Sequence, residues 1–326
     1  HAVGIHGAGA DGETDAVLGP PKFLAGESYG TTRSAGLSGY LQNRHGMLLN
    51  GLMLISAVLD FTTIDFNLNN DLPYILFLPA YAATAWYHGK LNFKAPLETV
   101  IKEAEEFALG EYASALLKGA SLTLEERDNI VEKLSRYTGI SQEFIERSNL
   151  RILDRHYFKE LLRERRKTIG RLDSRYTGID RSGVTESYEY DPLFAQVSGP
   201  YTAAFNDYIR TELKFETDQP YEILSDKVWM NWSYEYFQNQ YVNVAETLRQ
   251  SMTFNKYLKI FVANGYFDLG TPYFATEYTI DHLGLDESLR GNIRMAYYNA
   301  GHMMYVHMPS LKEMKKDLAK FIKDAS

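Results

Sequence analysis

Gly26-Glu27-Ser28-Tyr29-Gly30 follows the short apolar run Phe23-Leu24-Ala25 and precedes residues with helical spacing. Strand, sharp turn and helix in that order hold a serine hydroxyl clear of its neighbours, and glycines on either side leave room for the strained backbone beneath it. Ser28 is therefore the candidate nucleophile. A serine attacks at neutral pH only when a base takes its proton, and imidazole, with an ordinary pKa of ~6.5, suits that task. Of the eight histidines, His302 stands out because it lies in Ala300-Gly301-His302-Met303, just past a predicted strand; His307 is the alternative. A carboxylate must then fix the imidazole's tautomer. Asp268, in Asn264-Gly265-Tyr266-Phe267-Asp268, also follows a predicted strand, whereas the competing Asp60 reads better as a loop cap.

These three residues need a sheet whose strand ends converge. Gly51 to Ser56, Leu258 to Ala263 and Ile293 to Tyr298 are compact apolar runs bounded by turn residues, as expected of buried parallel strands, and Thr31 to Asn43 has helical spacing. The fold class expected is α/β. Between the strand-bearing blocks lies a mostly helical stretch. Pro96 to Leu117 places Leu97, Val100, Ile101, Ala104, Phe107 and Ala108 on one stripe; Thr123-Leu124-Glu125-Glu126 is a capping box that Gly139 would end; and the polar segment Gly170 to Asp191 predicts a long surface loop. The expected division is a first core part over 1–59, a helical cap insertion over 60–232, and a second core part over 233–326.

Composition narrows the function classes. The 326 residues carry a formal charge of −8 and no long Lys/Arg block, which argues against nucleic acid or an anionic membrane as partner. The short cluster Arg163 to Lys167 reads as a solvated helix face. Absence of cysteine excludes a disulfide framework, a thiol nucleophile and a thiolate metal site. The longest apolar stretch, Leu72 to Tyr87, is interrupted by Pro79 and falls short of the ~20 residues of a membrane span. No His-Glu-x-x-His occurs, so neither a metal nor another cofactor is expected. Gly7-x-Gly9-x-x-Gly12 matches a dinucleotide fingerprint by letters alone, since Pro20-Pro21 cuts off a long helix. The chain opens on His1 with no charged-then-apolar leader, so no targeting segment is expected within it.

Gly-Glu-Ser-Tyr-Gly, the Asn-Gly-x-x-Asp stretch and the Gly-His-Met ending appear in the order Ser28, Asp268, His302. Together they resemble the serine carboxypeptidase family, particularly its bacterial branch, from about Pro21 onward. The resemblance implies an α/β-hydrolase core with a helical cap, cutting the last residue from a peptide through an acyl-enzyme. It implies Ser28 as nucleophile, His302 as base, Asp268 as orienting acid and the backbone N–H of Tyr29 as an oxyanion donor. Glu27 matches the acidic residue that helps to hold the substrate's terminal carboxylate, and Met303 the methionine beside the leaving-group site. Two carboxylates hold each other only while sharing a proton, so peptidase activity should favour acidic pH. The resemblance also allows a periplasmic or secreted setting.

Members of that family place several strands ahead of the elbow, among them a Trp/Asn-Gly-Gly-Pro motif carrying the second oxyanion donor. This sequence has no such motif. His6-Gly7-Ala8-Gly9 has the letters of a lipase oxyanion loop but stands too near the elbow. The strand before Ser28 is accordingly expected at a sheet edge, open to a second copy or to a complementing chain. The functions consistent with the residues are a carboxypeptidase-like hydrolase of small peptides, a carboxylesterase with little peptidase activity, or an inactive subunit needing a partner.

Overall fold

A computed structural model describes residues 19–326. Its central sheet has four strands, all parallel, in the spatial order Phe23–Glu27, Gly51–Ile55, Lys259–Gly265 and Ile293–Tyr298. β1 (Phe23–Glu27) leads through Ser28 into helix α1 (Tyr29–His45), and β2 (Gly51–Ile55) follows. Then come α2 (Leu72–Tyr87), α3 (Leu97–Phe107), α4 (Ala113–Lys118), α5 (Leu124–Thr138), α6 (Gln142–Arg147) and α7 (Asp154–Glu160). A two-residue antiparallel pair, β3 (Thr168–Ile169) and β4 (Thr177–Gly178), precedes α8 (Pro192–Thr211), α9 (Asp226–Met230) and α10 (Ala245–Phe254). The chain re-enters the sheet with β5 (Lys259–Gly265), then α11 (Tyr273–Asp281), α12 (Glu287–Arg290), β6 (Ile293–Tyr298) and the terminal α13 (Met308–Ala325).

Strand side chains alternate between two apolar layers, as a buried parallel sheet requires. Leu24, Leu52, Leu54, Ile260 and Val262 pack with Ala35 of α1 and Leu248 and Met252 of α10. Phe23, Phe261 and Ala263 face the other way, onto Met314 and Phe321 of α13. Among the described residues β1 pairs only with β2, so it is an edge of this sheet.

Helices α3 to α7 share one apolar cluster with α2, whose Leu76, Phe77, Leu78, Ala80 and Tyr81 are buried. Their apolar cluster continues into Phe267, Leu269, Tyr273 and Phe274, at and beyond the end of β5. Local signals placed several boundaries well. Thr123 and Glu126 form the reciprocal capping box, and Gly139 ends α5 in the left-handed conformation. Three expectations need correcting. Pro79 does not interrupt α2, which runs through it; burial on all sides outweighs the one backbone bond that proline removes. The helix predicted over Pro96 to Leu117 is divided by a π-turn at Ala108–Tyr112. The polar segment 170–191 is not wholly surface: Asp173, Ser174 and Asp180 are buried, and the buried ammonium of Lys159 pairs with Asp180.

Candidate active site

Ser28 occupies the step between β1 and α1 with φ 56° and ψ −127°. A side chain at positive φ costs of the order of 1–3 kcal/mol, so surrounding bonds must hold it there. They are present: the N–H of Ser28 donates to the Ile55 carbonyl (3.0 Å), and its own carbonyl accepts from the N–H (2.9 Å) and hydroxyl (2.6 Å) of Thr31. Thr31 in turn receives the N–H of Val58 at 2.9 Å, tying the turn to the segment after β2. A Cβ on Gly26 would stand 2.2 Å from the Gly30 carbonyl oxygen and 2.6 Å from Ser34 Oγ, which excludes every other residue there without backbone movement. Tyr29 is the first residue of α1, so its N–H is one of the donors that a helix start leaves without an intrahelical acceptor.

Asp268 and His302 project from loops beyond β5 and β6, at the same end of the sheet as Ser28. His302 Nδ1 lies 2.7 Å from Asp268 Oδ2. Oδ1 of that aspartate accepts the N–H groups of Gly270 (2.7 Å) and Thr271 (3.0 Å), and Oδ2 also accepts the Thr271 hydroxyl (2.8 Å). With a carboxylate as its partner, Nδ1 carries the proton, which leaves Nε2 to exchange one. Burial pulls the imidazole pKa down, but the charge and hydrogen bond of Asp268, with the charge of Glu27, outweigh it and raise the pKa above its ordinary value. Ser28 Oγ makes no hydrogen bond to His302 or to any other described residue. The two are linked through β2: Ile55 accepts the N–H of Ser28, and the hydroxyl of the next residue, Ser56, donates to the His302 carbonyl at 2.7 Å.

A strap from the inserted segment, Arg171 to Arg175, runs between the acid and base loops and bonds to both. The N–H of His302 donates to the Leu172 carbonyl (2.6 Å), that of Leu269 to the Arg171 carbonyl (2.9 Å) and that of Ser174 to the Phe267 carbonyl (3.0 Å). Asp173 accepts the Gly301 N–H at 3.1 Å and the guanidinium of Arg175 at 2.9 and 2.6 Å, while Arg175 also donates to the Asn299 carbonyl at 2.7 Å. Gly301 admits this approach, since a Cβ there would lie 2.4 Å from Asp173 Cβ. No local pattern in the sequence marks Asp173 or Arg175, because their partners belong to a loop far along the chain.

Glu27 is half-buried and accepts the Tyr305 hydroxyl on both oxygens, at 3.1 and 3.0 Å. Burial raises its pKa, against the lowering influence of His302 and the Tyr305 bond, and Asp268 adds to the rise. Met303 is half-buried directly beside His302, before the short helical turn Met304–Val306. Of the alternatives, Asp60 caps its own loop through Thr62 N (2.9 Å) and Thr62 Oγ1 (2.6 Å). His307 bonds through Nδ1 to Ser310 Oγ (2.8 Å), at the start of α13. His6-Gly7-Ala8-Gly9 and the glycines that mimic a dinucleotide fingerprint lie outside the described residues.

On the other side of the serine stands an aromatic group that sequence spacing does not bring together. Tyr29 packs edge-on against Phe61, Trp232 and Tyr234 at centroid distances of 6.2, 5.5 and 6.2 Å, and Trp232 Nε1 donates to the Tyr29 hydroxyl at 3.2 Å. The whole arrangement is a serine in a strained turn, a carboxylate-bound imidazole with a free nitrogen, a second protonatable carboxylate and an aromatic wall. Such a set can transfer protons at an acyl centre held above Ser28. No protein-family model matches the chain, and no curated protein matches it either.

Proposed function

We propose that the chain is a serine hydrolase of the α/β-hydrolase type, related to the serine carboxypeptidases, which forms and hydrolyses an acyl-enzyme. The observation that carries this reading is the 2.7 Å pair of His302 Nδ1 and Asp268 Oδ2 at the strand ends that also present Ser28. His302 Nε2 takes the serine proton as Oγ attacks the substrate carbonyl, and Asp268 stabilises the imidazolium. The N–H of Tyr29 donates to the oxyanion. Collapse of the tetrahedral intermediate returns the proton to the leaving group, and a water activated by the same imidazole then releases the acid.

Glu27 is bonded to Tyr305, three residues beyond His302, so we place it on the side from which the leaving group departs. Its raised pKa suits it to share a proton with a peptide's terminal carboxylate, which supports C-terminal peptide bonds as substrate. One observation favours a carboxylesterase as second reading: Tyr29 is the only oxyanion donor assigned among the described residues. A missing donor costs ~10²–10³ in rate, which activated esters tolerate better than amides.

The test is labelling by a fluorophosphonate in the native protein and in Ser28→Ala, followed by rates on a blocked dipeptide and a p-nitrophenyl ester. Labelling lost in Ser28→Ala, with turnover of both substrates, is the expected result. Ester turnover alone selects the esterase, and a Ser28→Ala protein of normal activity overturns the mechanism.

A further inference from the structure

Beyond the aromatic wall lies an open cavity of about 560 Å³, lined by Phe61, Asp65, Asn67, Tyr234, Phe237 and Tyr241 among others. Phe61 and Tyr234 are the same rings that flank Tyr29, so the cavity begins one side chain away from the residue that follows the nucleophile. Asp65 is the one carboxylate in its lining.

The backbone of Asp65 is held on three sides. Its N–H donates to the Phe61 carbonyl (3.0 Å), and its carbonyl accepts from the N–H of Asn67 (2.9 Å) and the side-chain amide of Asn70 (2.8 Å). Its carboxylate, by contrast, receives no hydrogen bond and no ion pair among the described residues, although the residue is half-buried. No Lys or Arg side chain among the described residues lines the cavity; Arg33 lies over the Trp232 ring, 5.7 Å from its centroid. Burial is the sole cause acting on the Asp65 carboxyl, and it raises the pKa; no basic group acts to lower it. Tyr234 and Tyr241 line the same cavity as Asp65. A half-buried, unneutralised carboxylate in a cavity also lined by tyrosine rings is a receptor for one positive charge, since the carboxylate supplies the ion pair and the rings supply cation–π attraction.

Orientation follows from the proton path. The leaving group departs towards His302 and Glu27, which is bonded to Tyr305 beyond the histidine, whereas the cavity holding Asp65 is walled by Phe61 and Tyr234, the rings packed on Tyr29. The portion of substrate that remains bound to Ser28 therefore lies on the Tyr29 side. We propose that Asp65, with Tyr234 and Phe61, forms a subsite for a cationic side chain on the acyl side of the substrate, a lysine or arginine at the end of a flexible alkyl stem. This inference rests on the serine-hydrolase reading for its direction, but the cation site itself can be tested without catalysis.

Two measurements separate these. In Ser28→Ala protein, the dissociation constants of Nα-acetyl-lysinamide and Nα-acetyl-norleucinamide compare the same stem with and without its ammonium. Lysinamide is expected to bind roughly tenfold more tightly, and Asp65→Asn in that background should bring the ratio near one while Asp65→Glu retains most of it. Equal constants in the Asp65 protein, or a preference that survives Asp65→Asn, overturn the subsite. In the native protein, kcat/KM for the p-nitrophenyl esters of the same two acyl groups should show the same ratio and the same dependence on Asp65. If both esters are inert while the binding preference holds and depends on Asp65, the cation site stands and the hydrolase reading fails. If both esters are cleaved with no preference, the reading survives and the acyl-side assignment falls.

Discussion

Asp173 accepts the N–H of Gly301 at 3.1 Å, so a carboxylate from the inserted segment grips the residue immediately before His302. The same carboxylate neutralises Arg175, which bonds to Asn299 in that loop. The inserted segment thus supplies part of the scaffold on which the imidazole is oriented. Asp173→Ala should lower kcat for ester hydrolysis by about 10- to 100-fold with KM little changed, because a small misplacement of a base acts on the chemical step. Asp173→Asn, which keeps an acceptor for Gly301, should fall between. Steady-state rates checked against thermal melts decide the matter; an unchanged kcat in Asp173→Ala would contradict the positioning role.

The raised pKa of His302 sets the direction of the pH profile. The base must be neutral, so kcat/KM on an ester should rise with pH through a midpoint above the ordinary ~6.5. Glu27→Gln removes one of the negative charges that raise it, and the midpoint should move to lower pH. On a peptide the native protein should show an opposing fall, as Glu27 loses the proton it shares with the substrate's carboxylate. A peptide profile that climbs steadily into alkaline pH is the outcome that would remove Glu27 from carboxylate recognition.

Glu277 of α11 receives the Tyr297 hydroxyl, and burial first, then the charges of Glu105 and Asp281, push its carboxyl from 4.5 up to about 7, against the lowering influence of the Tyr297 bond. A carboxyl whose pKa is higher folded than unfolded favours the fold below its unfolded value and loses that contribution as pH rises through its folded value. Glu277→Gln should therefore gain on the native protein by up to about 3 kcal/mol between pH 4 and pH 8. Denaturant unfolding at the two pH values measures it, and a difference that does not change with pH would refute the assignment.

The Gly26 position allows a sharper steric test. Gly26→Ala places a methyl against the Gly30 carbonyl, and the protein should lose about 3 kcal/mol or more as the turn shifts. Activity should fall further than stability, since the displaced turn carries Ser28. A Gly26→Ala protein with the native melting temperature would show that the turn is more pliable than its contacts imply.

What could be read from the sequence was local. The strands near Gly51, Leu258 and Ile293 are continuous apolar runs, the cap at Thr123 is closed by Glu126 within one turn, and Asp268 and His302 each stand just past a recognisable strand. What escaped depends on distant partners. Pro79 is tolerated because α2 is buried on all sides, a property of the packed helices around it. Asp173 looks like any acid in a polar loop until its partners Gly301 and Arg175 are in place. Phe61, Trp232 and Tyr234 acquire a common role only when folding sets them around Tyr29.

Ile55 and Ser56 are consecutive; one accepts the N–H of Ser28 and the other donates to the carbonyl of His302. A shared mooring of this kind makes thermal displacement common to both sides: when the end of β2 drifts, serine turn and histidine loop are carried together. Their spacing is then less sensitive to breathing of the sheet than either position alone. Precision in such a site comes from errors that cancel rather than from rigidity of the whole molecule.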